Sequence, residues 1–229
     1  SVIAGGGIVK GFRAPGCGSY SRRQVDELTE FVRARGAQGL VSIALTGEKG
    51  PLSSLTQDMV RSSAARFLTL DQVRAIADRT EAEIGDIVFI IAGPPKPTNT
   101  ALSYLRNEMG RRLGLADPNL LAFAFIVDFP LFEWSEDRGH WDAMHHAFTM
   151  PQSGYEQYIE SDPGKVLAHC YDLVCNGEEL ASGSIRVHDR QLQERIFRAL
   201  GYTEEQMVQR FGQLLTALEY GAPPHGGIA

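Results

Sequence analysis

Only three cysteines, Cys17, Cys170 and Cys175, occur among the 229 residues. So small and odd a number builds no disulfide framework and points to a reducing compartment. Cys170 and Cys175 stand five apart without a second pair, which excludes a cysteine zinc site. A basic excess is missing too: 22 Lys and Arg face 28 Asp and Glu, for a net charge of -6. A dominant electrostatic grip on nucleic acid needs a basic face. Arg22, Arg23, Arg33 and Arg35 form either a local basic patch or a solvated helix face. No apolar run approaches the ~18 residues of a membrane span. No secretory leader pattern is present. The expectation is a cytoplasmic protein with no membrane partner. Repeats, low-complexity tracts, a P-loop, G-x-S-x-G and a dinucleotide fingerprint are all lacking. "VIAGGGIVKG" is glycine-rich without phosphate-loop spacing and reads as a loop or strand entry.

What is present suits a globular chain. Hydrophobic residues make up 43% and charged residues 22%, enough apolar material for a core. Ser21 and Gln24 form a capping box ahead of Val25, Leu28, Phe31 and Val32 at helical spacing, and Gly36 ends that helix. "GLVSIAL" is strand-like, with Val41, Ile43 and Leu45 on one face. Thr69 and Gln72 cap a second helix, "DIVFIIAG" is a buried strand, and Leu102, Leu105, Met109 and Leu113 mark a third helix. The first half therefore alternates helices and strands in an α/β manner. "GLADPN" at 114–119 is turn chemistry and the best domain boundary, with the prolines at 94, 95 and 97 second. The expected domains are 1–115 and 116–229.

The second half reads as antiparallel strands backed by helices, so the chain as a whole is α+β. "FAFIVDF" and "WDAMHHAF" read as strands. Asp189 caps a helix carrying Leu192, Ile196, Phe197 and Leu200. Thr203 and Gln206 cap another, carrying Met207, Phe211, Leu214, Leu215 and Leu218. The closing "YGAPPHGGIA" reads as a turn handing over to a buried element, and the chain as part of a larger protein.

Asn176-Gly177 between strand-like runs signals a tight hairpin. A two-residue loop sets Cys175 opposite Glu178, Val174 opposite Glu179 and Asp172 opposite Ala181. Asp172, Val174, Glu179, Ala181 and Gly183 then share one face. Asp172 and Glu179 become diagonal neighbours, roughly 7–8 Å apart by backbone. Two carboxylates so placed either converge on a hard divalent cation such as magnesium or decorate a solvated face. "ASGS" at 181–184 is small-residue strand, which marks a bulge or a close approach. Arg186 has the wrong parity to join Glu179 unless a bulge intervenes, and one is expected near Ser182-Gly183. Its guanidinium suits a carboxylate ligand. His145 and His146, if on a strand, point to opposite faces, so one faces a pocket and the other props the sheet.

The ordered series "DFPLFEW", "MHHAFTMP", "YDLVCNGEELASGSIRVHD", "LQERIF" and "EYGAPPHGGIA" closely resembles bacterial aspartyl-tRNA synthetases, across nearly all of residues 124–229. The first half, from "VKGFRAPG" through "VFIIAGPPKPTNTALSYLRNEMGRRLGL", resembles the insertion domain of the bacterial forms, a module also found in tRNA-dependent amidotransferases. The resemblance implies an insertion domain followed by a partial class II catalytic sheet. It implies L-aspartate, ATP with Mg2+ and tRNA as ligands of the intact enzyme, and a homodimer, with no cofactor held tightly by this segment. Carried over by position, His145 and His146 look like L-aspartate-binding residues. Arg186 looks like the reader of its side-chain carboxylate, and Ser182 and Gly183 like the floor beside it. Asp172 and Glu179 look like the pair that holds magnesium and ATP. The family's anticodon-binding barrel and its first, second and third class II motifs are not within these residues, so this segment alone is expected to be inactive. "ASGS" departs from a more glycine-rich form, and Ala147 stands where proline is frequent. Two rival readings are a stand-alone tRNA- or protein-docking module, and a ligase that makes asparagine without tRNA. The second would lack an insertion like residues 1–115.

Overall fold

The structure, a computed structural model, describes residues 2–229. It falls into two units, Ser1–Asp117 and Pro118–Ala229. In both, the strands that pair are antiparallel and helices pack on them, giving the expected α+β class.

The first unit runs β1 (Ile8–Ala14), α1 (Arg22–Arg33), β2 (Val41–Leu45), β3 (Val60–Ser62), α2 (Leu70–Arg79), β4 (Ile87–Gly93) and α3 (Pro95–Arg112). Its sheet order is β1-β4-β2-β3. Strand β4 inserts between β1 and β2 and is antiparallel to both. The alternation that reads as α/β in the sequence is thus a split βαβ unit, with α1 as the crossover. Both capping boxes form, at Ser21/Gln24 and Thr69/Gln72. The proline cluster opens α3 instead of marking a boundary, with Pro95 in the first turn, where a missing N–H costs nothing.

Strand β4 explains why this sheet is buried on both sides. Phe89 and Ile91 pack with Leu28 and Val32 of α1 and Leu105 and Met109 of α3. Val88 packs on the other face with Ile43, Leu45, Val73 and Ala77. The arginines of α1 are a solvated face: Arg22, Arg23 and Arg33 pair with Asp26, Glu27 and Glu30. Arg35 lies over the Phe31 ring.

The second unit contains β5 (Phe123–Ile126), β6 (Phe132–Ser135), β7 (His140–Ala143), β8 (Cys170–Cys175), β9 (Glu178–Ile185), α4 (Arg190–Ala199), α5 (Glu204–Glu219) and β10 (Gly226–Ile228). The main sheet has the order β10-β9-β8-β5, and β6-β7 form a separate hairpin. Leu192, Ile196 and Val187 close one core with Leu131, Ile159 and Val166. Phe197 stacks on Phe211 at 4.3 Å, with Phe148 and Tyr202 edge-on around them. Asp189 caps α4 and the Thr203/Gln206 box caps α5. Strand β10 forms as "GGIA" suggested, but its residues are exposed instead of buried, Ile228 at 64%. Among the described residues no helix is long and apolar enough to cross a membrane.

The β8-β9 turn does more than reverse the chain. Asn176 adopts φ +52, and its side chain bonds the 120–122 segment. The amide oxygen accepts from Ala122 N–H at 2.9 Å, and the amide nitrogen donates to the Leu120 carbonyl at 3.0 Å. Asn176→Gly keeps the left-handed turn and loses both bonds. It should lower the stability of the second unit by about 1 kcal/mol. Urea unfolding followed by the fluorescence of Trp134 and Trp141, the chain's two tryptophans, measures this.

Candidate functional site

The β8-β9 ladder starts as the two-residue loop dictates, with Cys175 opposite Glu178 and Val174 opposite Glu179. The register then shifts. Leu173 pairs with Ala181, Asp172 with Ser182 and Cys170 with Ser184, leaving Leu180 unpaired. The bulge therefore lies at Leu180, two residues before the expected Ser182-Gly183. Asp172 faces Ser182, not Ala181. An extra residue on one strand inverts the parity of everything beyond it. Asp172, Val174, Glu179, Ser182, Ser184 and Arg186 now share a face. Ala181 and Gly183 turn to the opposite face.

Gly183 is held there by Tyr171. A Cβ at 183 would stand 2.6 Å from the Tyr171 hydroxyl and the ring carbon that bears it, so any larger residue there must push the ring aside. Gly183 thus supports the strand from behind, and Ser182 and Ser184 are the small residues on the site face. Such packing has no signature in an isolated "SGS".

His145 and His146 are not on a strand. Strand β7 ends at Ala143, and the chain turns through 144–148 before Thr149 bridges to Arg186. The period-two argument does not apply to them. His145 is exposed, its ring edge-on to Phe129 at 4.9 Å. His146 is half-buried against Arg186, whose Nη1 stands 2.9 Å from Nδ1 and also contacts Nε2. Phe148 N–H donates to Nδ1 at 3.2 Å. The Thr149 and Ser184 hydroxyls lie 3.2 Å from Nδ1 and 3.4 Å from Nε2. Two obligate donors, an amide and a guanidinium, point at the same ring. An imidazolium has no lone pair for either, so the neutral form is favoured. Burial, the Arg186 charge and His145 together hold the His146 pKa below its ordinary 6.5.

Arg186 is half-buried, and among the described residues it has no carboxylate within ion-pair distance. Its guanidinium passes over Gly227 of β10, where a Cβ would lie 3.5 Å from Nη2. On the same face the Asp172 Oδ1 is buried with no hydrogen-bond partner. Cys170, next along that face, has its thiol pushed up by burial and then by Asp172, with Arg186 opposing. Glu179 is exposed at the hairpin end. The face carries an unpaired cation and an unsatisfied carboxylate that do not satisfy each other. The half-buried guanidinium is free to take an anion, and the Asp172 oxygen to take a donor or a cation. Among the described residues no three His, Cys, Asp or Glu side chains group to hold a metal by themselves. Sequence reasoning missed Thr149, Ser184 and Gly227. All three lie inside the quoted motifs, but nothing in the spacing singled them out.

The family described as tRNA synthetases class II (D, K and N) matches residues 23–229. The chain belongs to that family. Three relatives illustrate the similarity. An aspartate–tRNA(Asp/Asn) ligase of Dehalococcoides mccartyi is 48% identical over 229 residues, covering 100% of this chain and 38% of the relative. The enzyme of the same name from Geotalea uraniireducens is 45% identical over 228 residues, with 100% and 37% covered. An aspartate–tRNA ligase of Clostridium tetani is 41% identical over 230 residues, again with 100% and 37% covered. The chain thus spans well under half the length of these class II relatives.

The lowered His146 pKa carries a sign. A histidine that binds its proton less well when folded leaves the unfolded chain more protonated below pH 6.5. Stability therefore falls as pH drops from 7 through 6.5 and below. Denaturant midpoints across this range should show that slope, and His146→Gln should flatten it. An NMR titration should place the His146 midpoint below 6.5.

Proposed function

We propose that the chain is the part of an aspartate–tRNA ligase that joins an insertion domain, residues 1–115, to the middle of the class II catalytic sheet, residues 116–229. The observation that carries this reading is the half-buried Arg186 guanidinium without a carboxylate partner, facing the same surface as the orphaned Asp172 oxygen. Arg186 takes the side-chain carboxylate of L-aspartate as a two-pronged pair. Ser182 and Ser184 keep the surface beside it low, with Gly183 supporting from behind. His146 lies against Arg186 and orients it. His145, exposed beside His146 in the chain, is open to the same ligand.

Asp172 and Glu179 would hold the magnesium that accompanies ATP, and the unsatisfied Asp172 oxygen fits a hard cation. Bound there, magnesium supplies charge neutralisation at the phosphates. The reaction is attack of the aspartate α-carboxylate on the α-phosphorus of ATP, giving aspartyl-adenylate and pyrophosphate. Attack by a ribose hydroxyl of the tRNA's terminal adenosine on the adenylate carbonyl then forms the aspartyl ester and releases AMP. This chain's contribution is to hold the amino acid still and to discriminate. An uncharged side chain such as that of asparagine leaves the guanidinium unpaired, which is costly. The intact enzyme works in the cytoplasm as a homodimer.

The test is aspartate-dependent ATP–pyrophosphate exchange. The full-length ligase carrying this segment should catalyse it with L-aspartate and not with L-asparagine. Arg186→Leu should raise the KM for L-aspartate by at least ~100-fold with little change in that for ATP. The 229-residue chain alone should show no exchange. A full-length protein without aspartate-dependent exchange overturns the reading.

A further inference from the structure

The turn that carries His146 has no ladder to fix it. Its near end is held by Met144 N–H donating to the Leu131 carbonyl at 3.0 Å. Its far end is held by Val187 N–H to the Phe148 carbonyl at 2.9 Å and Met150 N–H to the Ile185 carbonyl at 2.8 Å. Between these ends the Ala147 carbonyl accepts from Gln193 Nε2 at 2.7 Å. Gln193 lies on α4, 1% exposed, among Leu192, Ile196 and Phe197 on the helix's buried side. An apolar residue would bury there without cost. A carboxamide is tolerated only because its hydrogen bond is made.

We propose that Gln193 is a positioning residue for the amino-acid pocket: its bond to the Ala147 carbonyl pins the turn so that His146 meets Arg186. The effect runs from helix to turn to imidazole to guanidinium. Thr149, 1% exposed, helps from the other side with its hydroxyl on the same ring. Gln193 itself is bonded to the turn's backbone and not to Arg186. It acts through His146. The proposal rests on the ligase reading above for its substrate, and on the observed contacts alone for the coupling.

Two measurements test it. In the full-length ligase, Gln193→Met keeps the side chain's length and removes the donor. The KM for L-aspartate should rise about tenfold, with kcat and the KM for ATP within about twofold. An unchanged aspartate KM, or equal losses in every parameter, overturns the proposal. Should Gln193→Met fail to fold, Gln193→Leu, likewise apolar and without a donor, takes its place with the same expectation. The second measurement uses the 229-residue chain and needs no activity. The NMR titration midpoint of His146 should move up toward the ordinary imidazole value when Gln193→Met loosens the turn from Arg186. An identical titration curve in a folded variant overturns the coupling. A full-length protein with no aspartate-dependent exchange defeats the substrate assignment only, and the titration still decides the coupling.

Discussion

Leu180 takes part in no cross-strand pair, and the arrangement of the second unit's charged face follows from that. Strand β9 gains one residue on β8 between Glu179 and Ala181. Side chains before and after that point would otherwise lie on opposite surfaces. With the extra residue, the exposed acid at the hairpin end and the guanidinium near the far end look the same way. The same shift sends Gly183 beneath Tyr171 and leaves only small side chains, Ser182, Ser184 and Cys170, between Asp172 and Arg186 on that face. One unpaired residue thus determines both what is present on the site face and how flat it is.

The sheet and the turn divide the work. The sheet sets Arg186 four residues along the neighbouring strand from Ser182, the partner of Asp172, so the two charges do not neutralise each other. The turn brings His146 over the guanidinium as a neutral acceptor, which keeps the charge oriented without cancelling it. Gly227 on β10 lets the guanidinium lie close to the backbone. An acid in any of these places would pair with Arg186 internally and leave nothing for a ligand to gain.

Much of this was legible in the sequence because it is local chemistry. The three Ser/Thr–Gln capping boxes and the Asn176-Gly177 reversal depend on residues a few positions apart, and spacing alone reveals them. The need for a bulge between Glu179 and Arg186 could be derived from parity, but its position could not. That position shows only in the cross-strand register, which sets Tyr171 opposite Gly183, a contact with no local signature. The histidine pair was misread as strand because "WDAM" is strand-like and nothing in "HHAF" announces a stop. The chain leaves β7 after Ala143 because Phe148 is drawn into the aromatic cluster with Phe197 and Phe211, some fifty residues away. The split βαβ order of the first unit was hidden for a similar reason: a sequence shows which elements occur, not which strand comes to lie between two others.

The Asn176 amide sets an order of assembly. Strands β8 and β9 are joined by two residues, and such hairpins close in roughly 1–10 μs. The segment bonded by Asn176 lies 54 to 56 residues earlier in the chain. Its return must await a much larger loop closure, with a correspondingly larger entropy cost. The tip of the hairpin therefore acts as a late latch. It is formed early, it waits with its donors and acceptors in water, and it engages only when β5 arrives to complete the edge of the sheet.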